Sequence, residues 1–180
     1  MNSNYAVREA TAHDAEGIAR VHIDSWRTTY RGIVPDNVLE NMDFAQRSEL
    51  WRERLSSDRS NRSGGLILVA TNLANEIVGF ASGGKEREGN IPSEAEIYAL
   101  YLLKEYSRKG IGRYLTRELA LQLQQKNYSS MLVWVLARNL SRQFYQHLGG
   151  VESRRKLIDI GGEEFEEIAY RWENISTLLR

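Results

Sequence analysis
The sequence contains no cysteine, which excludes disulfides, thiolate metal sites and a cysteine nucleophile. That fits a reducing compartment, and a cytoplasmic location is the expectation. Net charge of either sign is also missing, because 24 basic residues balance 24 acidic ones. Nothing global therefore draws the chain toward nucleic acid or an anionic membrane, and any attraction to phosphate must come from a local cluster. No long hydrophobic run is present. The longest, Met131 to Ala137, falls far short of the ~20 residues a membrane-spanning helix needs. Residues Met1 to Tyr5 are polar, without the basic-then-apolar pattern of a signal peptide. His13, His22 and His147 are isolated from other metal ligands, so no metal site is expected and they read as packing or surface residues. Disorder needs low hydrophobicity and high net charge; with 42% hydrophobic and 27% charged residues this chain has neither. Its 180 residues fit a single domain over residues 1–180.

What is there alternates between extended and helical patterns. A strand is expected at Tyr5 to Ala10, and Thr11 with Asp14 three residues on marks a helix start. The helix from about Asp14 to Trp26 places Ile18, Val21, His22 and Ser25 on one face. One or two short helices follow Pro35, the clearest from Ala45 to Leu55, with Leu50, Trp51, Arg54 and Leu55 near one another. Ser56 to Gly65 is the one polar, linker-like stretch, too short to separate domains. Leu66 to Ala70 and Glu76 to Ser82 read as strands around a turn at Asn72 to Asn75, and Glu96 to Leu103 reads as a buried strand. Leu115, Leu119 and Leu123 repeat every four residues in a helix from Gly112 to Lys126. A strand at Met131 to Leu136, a helix at Leu140 to Leu148 and strands at Arg155 to Ile160 and Phe165 to Trp172 complete the order β-α-α-β-β-β-α-β-α-β-β. An α/β sandwich of mixed strand direction with helices on both faces follows.

Two segments carry chemistry. In the first, the EIYALYLL strand runs through Ser107-Arg108-Lys109-Gly110-Ile111-Gly112-Arg113 into the leucine helix. Unpaired amides at the helix N-terminus and the helix dipole make an anion site, glycine permits close approach, and Arg108, Lys109 and Arg113 add local positive charge. This is neither a GxxxxGK[ST] loop nor a GxGxxG dinucleotide turn, since Leu115 occupies the last position. In the second, Asn139 stands between a strand and a helix, where a capping residue belongs. The helix itself contains Ser141, Phe144-Tyr145 and Gly149-Gly150. Tyr145, next to Phe144, is expected to point off the main packing face.

Together the two segments resemble the GCN5-related N-acetyltransferase (GNAT) superfamily, whose motifs are [Q/R]-x-x-G-x-[G/A] opening a helix and a later N-x-x-A-x-x-F-Y-x-x-x-G-[F/G]. One position departs: Ser107 stands where the family carries Gln or Arg, leaving charge to Arg108 or Lys109. The resemblance implies the acyl-CoA N-acyltransferase fold, with a mostly antiparallel central sheet. It also implies acetyl-CoA as cosubstrate, without metal, and acetyl transfer to a primary amine of a small molecule or protein. A non-catalytic acyl-CoA-binding sensor is the alternative. On this resemblance Leu102 and Leu103 pair their backbone with the pantetheine, and Ser107, Arg108, Lys109, Gly110, Ile111, Gly112 and Arg113 hold the pyrophosphate. Asn139 and Arg142 flank the pantetheine and the adenosine phosphates. Tyr145 protonates the departing thiolate. Glu96 is the implied base, with Glu94 or a water path as alternatives; the residue alone reads equally as a strand-end glutamate in solvent. Strand alternation puts Tyr98, Leu100 and Leu102 on the same face as Glu96. Trp26, Tyr30, Ile33 and Tyr98, with Val34 and Asn37, are expected at the acceptor pocket. A homodimer is common in the family, though no interface is legible in the sequence.

Overall fold
A computed structural model describes residues 4–56, 65–89 and 94–180. Seven strands form one sheet in the order β1-β2-β3-β4-β5-β7-β6. They are β1 (Ala6–Glu9), β2 (Leu66–Thr71), β3 (Ile77–Lys85), β4 (Glu94–Leu102), β5 (Ser130–Leu136), β6 (Val151–Ile160) and β7 (Glu163–Trp172). Every neighbouring pair is antiparallel except β4 and β5, which run parallel. The helices are α1 (Ala15–Thr29), α2 (Asp36–Glu40), α3 (Phe44–Leu55), α4 (Ile111–Gln125) and α5 (Arg142–His147). The mixed, mostly antiparallel sheet is as expected; α2 is a further short helix after Pro35. Residues 57–64 of the polar stretch Ser56 to Gly65 lie outside the described residues.

Each sheet face is covered for a reason visible in the sequence. Leu115, Leu119 and Leu123 of α4 are all fully buried, with Leu68, Ile97 and Met131 of the strands in the same core. Burying such side chains is worth about 1.5–3 kcal/mol each. On the other face, Ile18 and Val21 of α1 pack with Trp51 of α3 and with Val69, Phe80 and Leu103. Leu50, expected beside Trp51, turns outward and is 40% exposed, because it falls on the opposite side of a helix that touches the core along one stripe. The last hairpin turns at Gly161 and Gly162, with φ of +67 and +87, a backbone that glycine adopts freely. Strand β6 starts at Val151, earlier than Arg155, because charged residues that look loop-like are tolerated on an edge strand.

One irregularity positions the site. β3 and β4 pair Ser82 with Ala99 but Gly83 with Ile97, so Tyr98 is an extra residue, a β-bulge. The bulge shifts the phase of alternation. Ala95 and Ile97 pack on the α4 side, and so do Leu100 and Leu102. Ala99, Tyr101 and Leu103 pack on the α1 side. The expected sharing of one face by Glu96, Leu100 and Leu102 therefore fails beyond Tyr98, because alternation holds only along an unbulged strand.

Candidate functional site
The parallel strands β4 and β5 pair only from Glu94 to Ile97 against Ser130 to Val133. Beyond that point they diverge and enclose a cleft of about 610 Å³. Leu103 donates its amide to the Val78 carbonyl at 3.0 Å. By alternation, the backbone polar groups of Tyr101 and Leu103 face β3, whereas those of Leu100 and Leu102 face the cleft. The Leu102 carbonyl accepts the Ser25 hydroxyl at 2.9 Å. Of the two leucines expected on the pantetheine, Leu102 lines the cleft, while Leu103 is buried on the α1 side with its amide engaged.

Ser107, Arg108, Gly110, Gly112 and Arg113 stand at the mouth of this cleft. Arg108 and Gly110 have φ of +61 and +84. The tight turn they make delivers the chain into α4 with the amides of Ile111, Gly112 and Arg113 lacking intrahelical acceptors. Dipole and free N–H groups make this an anion-binding end. A Cβ on Gly110 would meet nothing within 4 Å, so the left-handed backbone and not crowding asks for glycine. The Ile111 side chain is buried in the core, which leaves only its backbone for a ligand. Lys109 instead lies over the Tyr106 ring, 5.0 Å from its centroid.

The opposite wall comes from β5 and α5. Asn139 is buried, and its Oδ1 accepts the Ser141 amide at 2.8 Å, which holds the turn into α5. Arg142 is half-buried and is not on the wall of the cleft. Tyr145 corrects an expectation: it belongs to the buried core while its neighbour Phe144 is only partly buried, and both line the cleft. The inward side of the short α5 meets the core and the cleft together. Burial, with the nearby Tyr30 phenol, holds the Tyr145 hydroxyl well above its ordinary pKa. Tyr30 is raised chiefly by burial, opposed by hydrogen bonds from Tyr101 and Asn139, and Tyr101 is raised well above its ordinary value by burial. Three protonated phenols therefore cluster at the fork.

A second cavity, of about 830 Å³, opens on the α1 and α3 side and shares Tyr98, Ala99 and Tyr101 with the cleft. Trp26 and Tyr98 line it, and Tyr30 lines the cleft. Ile33 packs in a separate apolar cluster with Val34, Leu39, Leu136 and Phe165. His22 is also on the cavity wall, stacked on Tyr101 at 5.3 Å. Its Nδ1 accepts the Trp51 indole N–H at 3.3 Å, which leaves the ring proton on Nε2. Burial, reinforced by the Arg47 and Arg54 charges, pushes this imidazole down to about 3.

The carboxylates sort by their partners. Glu96 is 1% exposed, buried rather than solvated. Arg87 donates to it through Nε at 2.9 Å and its backbone amide at 3.1 Å, and also through a guanidinium nitrogen. Both oxygens are thus occupied, and Arg87 stands between Glu96 and the second cavity. Glu94 is equally buried and is held by Arg154 at 2.8 Å and by Arg171, tying β4 to β6 and β7. Glu167 is different. It lies on β7 opposite Leu136, near the fork, and is half-buried beside Tyr30. Its cross-strand neighbour Lys156 bonds Glu88 at 2.9 Å instead. Burial holds the Glu167 carboxyl above the usual carboxylate range, against the pull of Lys156 and Arg87.

Sequence reasoning missed Glu167, Tyr101, Arg47, Arg54 and Arg87. A signal existed for the α3 pair, because Arg47, Trp51 and Arg54 fall at helical spacing on one face. None existed for Glu167, which sits in an acidic run with Glu163, Glu164 and Glu166. Among the described residues, no group of three or more His, Cys, Asp or Glu side chains is placed to hold a metal, and no helix is long and apolar enough to cross a membrane.

A sheet forked at a bulged strand, with an anion-binding helix end at its mouth, defines a class of acyl-CoA-binding transferase folds. The model of the acetyltransferase (GNAT) family matches residues 23–149, and the chain belongs to that family. It is 36% identical over 172 residues to the uncharacterized N-acetyltransferase YuaI of Bacillus subtilis, covering 96% of this chain and 95% of that one. It is 24% identical over 161 residues to the spermidine N(1)-acetyltransferase of Thermoplasma acidophilum, covering 88% and 92%. The crystal structure of PaiA N-acetyltransferase from Thermoplasma acidophilum in complex with coenzyme A shares the fold at a TM-score of 0.64 and 23% identity, covering 93% and 99%.

Proposed function
We propose that this protein moves an acetyl group from acetyl-CoA directly to a primary amine. The observation that carries the reading is the cleft itself: an anion-binding turn at its mouth, a free strand edge along it, and a protonated tyrosine at its inner end. In this reading the amides of residues 111–113, with Arg108 and Arg113, hold the pyrophosphate. Ser107 adds a hydroxyl where the family has charge. Leu100 and the Leu102 amide offer backbone groups to the pantetheine, and Asn139 borders it.

The amine nitrogen attacks the thioester carbonyl carbon, the C–S bond breaks, sulfur leaves as thiolate, and the nitrogen sheds the extra proton it carries after attack, which makes good the one Tyr145 gives. Tyr145 gives that sulfur its proton, which burial keeps on the phenol at neutral pH. The ammonium must first lose a proton. Glu96 has both oxygens engaged by Arg87, and Glu94 is a tie between strands. Glu167 makes no ion pair among the described residues and burial raises its carboxyl pKa, which suits a base acting directly or through water. The test is thiol release from acetyl-CoA with a panel of amines. Turnover with an amine supports the transferase, whereas tight CoA binding without turnover on any amine favours the sensor.

A further inference from the structure
The second cavity meets the thioester cleft at Tyr98, Ala99 and Tyr101, so an acceptor reaching the cleft from the α1 and α3 side occupies it. Among the described residues, its lining contains Arg47, Arg54 and Arg87 and no aspartate or glutamate. Among the described residues, Arg87 is matched by Glu96, Arg154 and Arg171 by Glu94, and Lys156 by Glu88. Arg47 and Arg54 are not. Among the described residues no carboxylate meets either one, and Arg54 only lies over the Trp51 ring, 5.0 Å away.

They project from one face of α3, seven residues apart, on either side of Trp51. Burial and the neighbouring Arg54 charge both act against the Arg47 cation, lowering its pKa. An opposing anion would relieve both effects. The indole N–H of Trp26 lies close to the Tyr101 hydroxyl and finds no acceptor at hydrogen-bond geometry. His22, held neutral, supplies no counter-charge.

We infer that the acceptor is a primary amine carrying an oxyanion, an amino acid-like molecule whose carboxylate or phosphonate is bound by Arg47 and Arg54 while its amine points to the fork. Guanidinium forks recognise such groups bidentately. A polyamine, the substrate named for the Thermoplasma acidophilum relative, would bring two or more positive charges to a wall that already carries unmatched ones.

The inference rests on the transferase reading, and the experiment separates the two. Purified protein with acetyl-CoA is offered the twenty amino acids, 2-aminoalkylphosphonates, the corresponding amines lacking the acid group, and spermidine. The CoA-loaded protein is titrated with the same panel in a calorimeter. Acid-bearing amines are expected to be preferred. Arg47→Gln and Arg54→Gln should each raise KM for the best of them by about 10- to 100-fold, with kcat and CoA affinity little changed. Preference between carboxylates and phosphonates identifies the oxyanion. Turnover of spermidine or a decarboxylated amine at least as efficient as that of its acid overturns the inference and leaves the transferase standing. Binding of acid-bearing amines without turnover keeps the anion site and sinks the transferase. Absence of binding and turnover across the panel overturns both.

Discussion
Replacing Tyr145 by phenylalanine removes one hydroxyl and little else. The ring is buried, edge-on to Phe144 at 5.2 Å and to Trp172 at 6.3 Å, and phenylalanine preserves both contacts. The change in stability should therefore stay under about 1 kcal/mol. The change in rate follows from what the hydroxyl does. A hydrogen bond to a charged group is worth about 1.5–3 kcal/mol, so losing only that would slow turnover about 10- to 150-fold. Full proton transfer to the leaving sulfur is worth about 10²–10⁴. The phenol is raised well above its ordinary value, which keeps it a donor at neutral pH but a reluctant acid. The expected loss in kcat is accordingly near the lower end, about 10²-fold. CoA affinity should change less than about 2-fold, because the pyrophosphate site lies at the other end of the cleft. Steady-state thiol release gives kcat and calorimetry gives the affinity. A Tyr145→Phe protein that turns over within a few-fold of wild type would refute the assignment.

Other consequences are equally direct. Glu167→Gln should lower kcat/KM about 10²-fold and flatten the acid limb of the pH profile; an unchanged limb would assign the proton to another group. Glu94→Gln should cost about 3 kcal/mol in urea unfolding, since two partly buried arginines lose their shared carboxylate, while CoA binding persists. Gly110→Val forces a β-branched residue into φ of +84 and should weaken CoA binding by about 10-fold, measured by titration. His22 is held near 3 when folded, below its ordinary value, so the unfolded chain binds more protons at mildly acid pH. Stability should then fall as pH drops below about 6.5, by roughly 1.4 kcal/mol per unit at most, and His22→Phe should flatten that slope. Equilibrium denaturation at pH 7 and pH 5 decides it.

Local repetition made much of this protein legible from its residues alone. The four-residue leucine repeat of α4, the glycine turn before it and the Asn139–Tyr145 segment depend on neighbours a turn or two away, and the sequence displays those neighbours. Family and fold class followed from them. What tertiary structure decided depends on residues far apart in the chain. The Tyr98 bulge arises where β3 and β4 must both pair and diverge, and it reverses which face each later leucine takes. Glu94 is a structural tie only because Arg154 and Arg171 arrive 60 and 77 residues later. The fold also makes Glu167 a candidate base by laying β7 beside the fork, and leaves Arg47 and Arg54 unmatched among the described residues by turning their helix face toward a cavity whose described lining has no acids. A side chain's charge is written in the sequence, but whether it is already neutralised is set by packing, because ion pairs and burial act through space and not along the chain.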